Sequence, residues 1–377
     1  MSRAKKSKSK RRKKASAPRA KPVSKKSRKS SRKKLIPPRK LEIHNEHADN
    51  RPWVLATQQK QVEKIVAEAR PGTVSTDNCF VYFAAFDGTN NDANNAGNFQ
   101  TTNVRQLWCQ FEPGLADNPN LGGGYFAGPG TKGTLKASSW ESSRVTAQVR
   151  KTANAAYKDF AAQASAWLQE NPQGSLSAVL TSFSRGIASA AIFTQLLHDK
   201  GLAVREGRRK KKIEVAVSAG VNFDPVATGV KSNIAFAANG GHIVNLRAQD
   251  EYRQLFKAVD CSAQAAIVTT IPMLGNHCDV GGGYDNGLAA LALEAATAFL
   301  QRAGLPLGPV GDRQFAGVNS IAIHSEDADE GAELQSKWEV YLPGPQIGTF
   351  NIVDDLASSP RLSAPLSVST AGEVVLA

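Results

Sequence analysis

Short apolar runs that alternate with helical segments constrain the fold of this chain more than any other feature. Runs with the length of a buried strand occur at residues 79–86, 176–181, 213–221 and 265–274. Segments with helical spacing of apolar residues occur at 53–70, 144–169 and 187–197. Strands separated by helices predict an α/β fold, with a mostly parallel sheet and helices on both faces.

Several of these apolar runs lead directly into a polar motif. Residues 79–86 are followed by Asp87-Gly88-Thr89-Asn90-Asn91-Asp92, and residues 213–221 are followed by Asn222-Phe223-Asp224-Pro225. In open parallel sheets, functional groups collect where the strands end. The strand ends are therefore where we expect a site. In contrast, the basic segment from Gly201 to Lys212 is predicted to be a loop.

The segment Ser182-Phe183-Ser184-Arg185-Gly186 lies between a short apolar run and an Ala-rich helical segment. This strand, turn and helix context is that of a nucleophile elbow in an α/β-hydrolase fold, with Ser184 at the apex. Small residues are needed two positions before and after the nucleophile, because the turn is strained. The backbone N–H of Arg185, at the start of the helix, would stabilise an oxyanion. The spacing alone also arises by chance, so the prediction depends on the flanking strand and helix.

A serine hydroxyl is a weak nucleophile and needs a base that is itself oriented by a carboxylate. The chain has six histidines. Four are poorly positioned, because they lie beside the basic N-terminus, at the end of the elbow helix or in a predicted Gly-rich loop: His44, His47, His198 and His242. His277 and His324 both follow apolar segments and are the candidate bases. His277 is preferred, because His324 precedes an acidic stretch with the character of a solvated loop.

The predicted orienting carboxylate is Asp224, which ends the strand after the elbow helix. It gives the chain order Ser, Asp, His that is expected of α/β-hydrolases. Taken alone, Asp224 could equally be a helix cap or a turn residue. Asp279 is a competing carboxylate close to His277 in sequence, and Asp87 is a further alternate for a role in the site.

Six motifs follow one another along the chain: Phe86-Asp87-Gly88-Thr89-Asn90-Asn91, Asn103-Val104-Arg105-Gln106-Leu107, Tyr125-Phe126-Ala127-Gly128-Pro129-Gly130-Thr131, the Ser184 elbow, Phe223-Asp224-Pro225-Val226 and the block from His277 to Tyr284. In this order, they resemble a bacterial family of uncharacterised α/β-hydrolase domains that includes phospholipase effectors of type VI secretion systems. The resemblance covers about residues 80–325.

This resemblance implies ester hydrolysis, often of phospholipid acyl chains, with Ser184 as nucleophile and His277 as base. It also implies that the loop after the first strand lies beside the nucleophile, where the amides of Gly88 and Thr89 would complete an oxyanion hole with that of Arg185. Ser182 stands where the family usually has Gly. The family's frequent His-Ala-Leu-Ala-x-Asp-Glu segment is replaced by residues 245–251, which removes a rival histidine and favours His277.

The basic charge of the chain is concentrated at its N-terminus. Residues 1–40 hold 20 of the 47 Lys and Arg residues and no acidic residue, which leaves 27 basic and 33 acidic residues in the remainder. With almost no apolar residues, residues 1–45 are predicted to be a disordered tail ahead of a catalytic domain at 46–377. Residues 3–40 would contact an anionic membrane surface or nucleic acid, or simply be a solvated extension.

No metal or cofactor is expected. The four cysteines are far apart in sequence, and the Gly-rich runs match no phosphate-binding fingerprint. Residues 87–92 offer oxygen ligands but lack the downstream Glu of an EF-hand loop. The chain has neither a signal-peptide run nor a long apolar span. We therefore expect synthesis in the cytoplasm, with any export requiring a dedicated secretion system.

Two functions compete at this point. The first is a carboxylic ester hydrolase of lipase or phospholipase type, acting on an acyl ester or phospholipid through Ser184, Asp224 and His277. The alternative is an inactive hydrolase-fold protein that binds nucleic acid or anionic membrane through its tail. The complete Ser, Asp, His set favours the enzyme, because a binding module has no need to keep it.

Overall fold

The computed structural model describes residues 74–310 with several gaps, namely residues 75, 94–101, 132–141, 207–208, 249–250, 252–255, 257, 260, 262–266, 274 and 284–286. Residues 60, 63 and 67 and two short strands near the C-terminus are also described. The predicted tail, most of the predicted helix at 53–70, and His324 lie outside the described residues.

A six-stranded sheet forms the centre of the described chain, with the strand order β2-β1-β3-β6-β7-β8. Every neighbouring pair in it is parallel. Its strands are β1 (Cys79–Phe86), β2 (Leu121–Phe126), β3 (Ser175–Phe183), β6 (Ala216–Phe223), β7 (Gly240–Ala248) and β8 (Ile267–Met273). Two antiparallel pairs lie outside it: β4 (Leu202–Glu206) with β5 (Arg209–Ile213), and β9 (Leu366–Val368) with β10 (Val374–Leu376).

Helices cover both faces of this sheet. They are α1 (Asn103–Phe111), α2 (Gly114–Asp117), α3 (Ser142–Glu170), α4 (Gly186–Lys200), α5 (His277–Gly281) and α6 (Gly287–Arg302). One hydrophobic core joins α3 and α4 to one face, and a second joins α1 and α6 to the other. The predicted α/β fold class, a mostly parallel sheet with helices on both faces, is confirmed.

Strand β1 shows why the strands of this sheet appear in the sequence as continuous apolar runs. Phe80 and Tyr82 pack in the core beside α3 and α4, whereas Val81 and Phe83 pack in the core beside α1 and α6. Side chains alternate between the faces of a strand, so a strand buried on both sides must be apolar at every position.

Two predictions of local structure are wrong. The segment predicted to be a basic loop contains the strands β4 and β5, which pair as a hairpin. His242 does not lie in a loop. It is buried within β7, where its Nε2 lies 2.7 Å from Thr269 Oγ1. The strand β7 is held by pairing with β6 and β8, and β4 is held by side chains of α3. A local sequence pattern reveals neither contact.

No helix in the part of the chain that the structure describes combines the length and the apolar character needed to cross a membrane.

Candidate active site

Ser184 occupies the sharp turn between β3 and α4. Its φ of 53° lies in the left-handed region, which non-glycine residues rarely adopt and which is common where function requires strain. The turn is fastened to the end of β6, because Ser184 N donates to Phe223 O at 3.1 Å and Val226 N donates to Ser184 O at 3.3 Å. Ser184 is therefore held beside the residues that follow β6.

The glycine two residues after Ser184 is required by close packing. A Cβ at Gly186 would lie 2.5 Å from Phe86 O and 2.7 Å from Asp87 O. The start of α4 thus passes directly against the end of β1, as an elbow requires. Any larger residue at this position would push the loop after β1 away from Ser184.

Ser182, which departs from the family's usual glycine, has a structural use. Its hydroxyl donates to Asn222 Oδ1 at 2.6 Å, and Asn222 in turn donates to Asn245 Oδ1 at 2.8 Å. These side chains lie opposite one another on β3, β6 and β7 and are buried. Sequence reasoning did not single out Asn222 or Asn245. The available signal was that Asn222 lies two residues before Asp224, and so shares its face of β6.

Asp224 and His277 form a buried hydrogen-bonded pair. His277 Nδ1 lies 2.6 Å from Asp224 Oδ2, and the two side chains are 5% and 0% exposed. The other carboxylate oxygen, Oδ1, accepts from Ala248 N at 2.9 Å. Both Asp224 oxygens are thus held, which orients the carboxylate and, through it, the imidazole.

The imidazole of His277 is also fixed by two aromatic rings. The ring centroid of Phe183 lies 4.6 Å from that of His277, and the ring of Phe256 meets it edge-on at 4.9 Å. Phe183 immediately precedes Ser184, so His277 lies beside the elbow. His277 is the first residue of the short helix α5 and not, as predicted, part of a turn.

Asp279, the competing carboxylate, caps the helix that His277 begins. Its Oδ2 accepts from Asn276 N at 3.0 Å, and its own amide donates to Asn276 Oδ1 at 3.0 Å. This reciprocal pair is a capping box. The carboxylate that the structure brings to His277 Nδ1 is therefore that of Asp224.

The loop after β1 lies against the elbow. Arg185 Nε donates to Thr89 Oγ1 at 2.7 Å, which ties the loop to the residue after Ser184. The Gly88 amide donates to Asp87 Oδ1 at 2.7 Å. Of the three amides predicted for an oxyanion hole, that of Gly88 is thus engaged by the Asp87 side chain.

Asp87 is a buried carboxylate at the base of this loop. Its Oδ2 accepts from Thr102 Oγ1 at 2.8 Å and from Tyr125 OH at 2.5 Å. Burial raises the pKa of Asp87 to about 6, although hydrogen bonds from Tyr125, Thr102 and the Gly88 amide oppose the shift. Burial has the opposite effect on a cation, and it lowers the pKa of Arg185 to about 10. Among the described residues, no group of three His, Cys, Asp or Glu side chains could hold a metal ion.

An open cavity of about 450 Å³ adjoins the loop after β1, since Asp92 is one of its lining residues. Its walls include Tyr125, Phe126 and Gly128 at the end of β2, and Lys151 on α3. The wall of the cavity is hydrogen-bonded to the loop after β1, because Gly128 N donates to Asn91 O at 3.0 Å. Ser184 and His277 are not among its lining residues.

Comparison with known proteins gives distant likenesses. No family model matches the chain, and no curated protein matches it. An uncharacterized protein from Pseudomonas aeruginosa is similar over 70% of this chain and 50% of its own, with 16% identity and a TM-score of 0.44. A Tle1 effector, solved bound to the VgrG spike of a type 6 secretion system, is similar over 59% of this chain and 53% of its own, with 18% identity and a TM-score of 0.40. The chain thus spans about half the length of each, and neither likeness identifies what it does.

Proposed function

We propose that this protein is a serine-dependent carboxylic ester hydrolase, with Ser184 as nucleophile, His277 as base and Asp224 as the carboxylate that orients the base. The observation that carries the proposal is the buried Asp224–His277 pair, 2.6 Å from Oδ2 to Nδ1. It adjoins a strained turn whose backbone is bonded to Phe223, the residue before Asp224. A purely structural histidine would not require a serine in the left-handed region beside it.

In this mechanism, the Asp224 carboxylate holds the proton of His277 on Nδ1, so that Nε2 accepts the hydroxyl proton of Ser184. Ser184 Oγ attacks the ester carbonyl and forms a tetrahedral intermediate. The imidazolium then returns its proton to the departing alcohol, leaving an acyl-enzyme. A water molecule, activated by the same imidazole, attacks the acyl-enzyme and releases the acid.

Negative charge on the tetrahedral oxygen would be stabilised by the amides of Arg185 and Thr89. Two features support this assignment. The Arg185 amide lies at the start of α4, where the helix dipole favours an anion. The contact between Arg185 Nε and Thr89 Oγ1 also holds the loop close to the elbow. Preorganised donors of this kind typically contribute a large part of the rate enhancement.

The proposed substrate class is an acyl ester of lipid or phospholipid type. Its support comes from the six ordered sequence motifs, which resemble those of phospholipase-containing hydrolases.

The deciding experiment compares Ser184→Ala with Ser182→Ala. We expect Ser184→Ala to lower kcat on a soluble ester by roughly a thousandfold or more, and to abolish covalent labelling by a serine-reactive phosphonate. Both serine and alanine carry a Cβ, so the strain at this position and the fold should be retained.

Ser182→Ala is the matched control, because it removes a buried hydroxyl two residues away that bonds to Asn222. It should keep both labelling and most of the activity. Wild-type turnover by Ser184→Ala, or labelling that survives in it, would show that the nucleophile is assigned wrongly.

A further inference from the structure

The hairpin of β4 and β5, here called the basic hairpin, is rigidly attached to the protein on one side. Leu202 and Val204 of β4 are buried in the core that α3 and α4 share. Side chains of α3 occupy the outer edge of β4, where Ala203 N donates to Tyr157 OH at 3.1 Å and Arg205 N donates to Ser165 Oγ at 2.9 Å. The edge of β4 that faces away from β5 is therefore closed.

The outer edge of β5 presents backbone groups that no described element covers. Ala203 and Arg205 lie opposite Lys212 and Lys210, respectively. In an antiparallel pair, residues that face each other direct their backbone groups either both inward or both outward. The amides of Ala203 and Arg205 point away from β5, so those of Lys212 and Lys210 point away from β4. Among the described strands, β5 pairs with β4 alone, and its residues 209–212 are exposed.

The face of the basic hairpin that carries Arg205, Lys210 and Lys212 is positively charged. Arg205 and Lys210 lie directly opposite each other on one face of the basic hairpin, and Lys212 is next along that face. Like charges in directly opposed positions destabilise a strand pair. Within the part of the chain that the structure describes, none of these three forms an ion pair with a carboxylate. An anionic partner would relieve this repulsion.

We propose that the outer edge of β5 binds an extended acidic segment of a partner protein, which adds to the basic hairpin as a third strand. The backbone groups of Lys210 and Lys212 would hydrogen-bond to the segment, and the ammonium groups of these two residues would contact its Asp and Glu side chains. Lysines on an exposed edge normally prevent pairing with other strands. In this hairpin, the lysines would prevent pairing with neutral or basic segments and would favour pairing with acidic segments.

Two observations favour a peptide over nucleic acid or a membrane. Phosphates of nucleic acid or lipid accept from backbone amides but offer no donor to the outward carbonyls of β5, whereas an added strand pairs with both. The hairpin also lies at the end of the sheet away from the candidate site, because β6 begins next to it at Ala216 and runs for eight residues to Phe223. That strand spans roughly 26 Å. A membrane held by the hairpin would therefore not reach Ser184.

The test uses the full chain and a short fluorescein-labelled peptide of alternating glutamate and threonine, with binding measured by anisotropy. Lys212→Ala and Lys212→Pro carry the same charge and differ in the outward backbone N–H. We expect Lys212→Ala to bind the peptide severalfold more weakly than wild type, and Lys212→Pro roughly fivefold more weakly again. The N-terminal tail contributes equally to both variants and so cancels from their comparison.

Proline is tolerated where an edge strand's N–H faces solvent, so the hairpin should persist. Circular dichroism and thermal unfolding check this, and Lys210→Pro with Lys210→Ala repeats the comparison at the other outward amide. Lys231→Ala, an exposed lysine in the loop that follows β6, is the matched control and should bind like wild type. A peptide with glutamine in place of glutamate should not bind.

Equal affinities of the Pro and Ala variants, with both folded, would overturn the added strand. The same conclusion would follow if single-stranded DNA or phosphatidylglycerol vesicles bound wild type more tightly than the peptide and lost that binding in Lys210→Ala and Lys212→Ala. A third contrary result concerns residues 326–330, an acidic stretch of the chain itself. If neutralising its four carboxylates raised peptide affinity more than fivefold, the chain's own segment would be the occupant and the assignment to a partner would be wrong.

Discussion

At the scale of single residues, the candidate site depends on how Asp224 is held. One carboxylate oxygen meets His277 Nδ1, and the other accepts from the backbone of β7 at Ala248. A carboxylate fixed at both oxygens cannot rotate away from the imidazole. The rings of Phe183 and Phe256 restrict the imidazole in turn. The orientation of the His277 imidazole is therefore set by three residues that contact its ring and by Ala248, which holds one of them.

The first prediction at this scale distinguishes the two candidate bases. His277→Ala should lower kcat on a soluble ester by about ten-thousandfold, because Ser184 loses its proton acceptor. His324→Ala should retain most of the activity. The measurement is initial rates for both variants on the same ester, together with thermal unfolding.

His198→Ala provides the matched control, since His198 is exposed near the end of α4. It should behave like wild type. Near-normal rates for His277→Ala with a collapse for His324→Ala would reverse the assignment of the base.

At the scale of elements, Asp87 joins three parts of the fold. It ends β1, accepts from Thr102 at the N-cap of α1, and accepts from Tyr125 near the end of β2. Its Oδ1 accepts from the Gly88 amide at the start of the loop that contacts Arg185. The protonation state of Asp87 therefore affects the hydrogen bonds that hold β1, α1 and β2 together.

The second prediction follows from the raised pKa of Asp87. The pKa is about 6 in the folded protein and ordinarily 3.8, so the folded state holds this proton more tightly than the unfolded chain. The resulting stabilisation is present at low pH and is lost as the pH rises through about 6. Relative to Asp87→Asn, the free energy of unfolding of wild type should fall by about 2 kcal/mol from pH 4 to pH 7.

Denaturant unfolding of the two proteins across this pH range measures the difference. Asp117→Asn, at an exposed carboxylate of α2, is the control and should show no comparable change relative to wild type. A stability of wild type that rises with pH relative to Asp87→Asn would contradict the raised pKa.

At the scale of the whole molecule, the charges of the chain are divided. Residues 1–40 carry 20 basic groups and no acidic ones, and the remainder carries more acidic than basic residues. Attraction to a polyanion such as DNA or an anionic vesicle should therefore come mostly from the N-terminal residues. The basic hairpin is the strongest positive feature that the described structure adds to this distribution.

The third prediction concerns the removal of residues 1–40. Turnover on a soluble short-chain ester should be unchanged, whereas binding to anionic vesicles or DNA should weaken several-fold or more at low ionic strength. Raising the salt concentration should erase the difference, because screening and counterion release weaken such contacts. Vesicle sedimentation and DNA anisotropy at several salt concentrations provide the measurement. Equal binding by the truncated protein would assign the attraction to the basic hairpin and not to the N-terminal residues.

Local sequence patterns predict four of the six strands of the sheet, the helices α3 and α4, and the parallel class of the sheet. Residues 79–86 were predicted as a buried strand and form β1, and residues 144–169 were predicted as a helix and fall within α3. Burial on both faces makes a strand apolar throughout, and a helix repeats its apolar residues every three to four positions, so both leave local patterns. The strand, turn and helix around Ser184 were equally visible, although its role as nucleophile stays a prediction.

Other features depend on contacts between segments that are distant in sequence. Asp279 lies two residues from His277, yet it caps α5, and the imidazole meets Asp224, 53 positions earlier in the chain. The strand β5 has four exposed basic residues and a single apolar one, so nothing in its own pattern predicts a strand. It becomes one because β4 is held by α3 and offers it a pairing edge. Hydrogen bonds between remote residues carry no periodicity, and therefore only the folded chain reveals them.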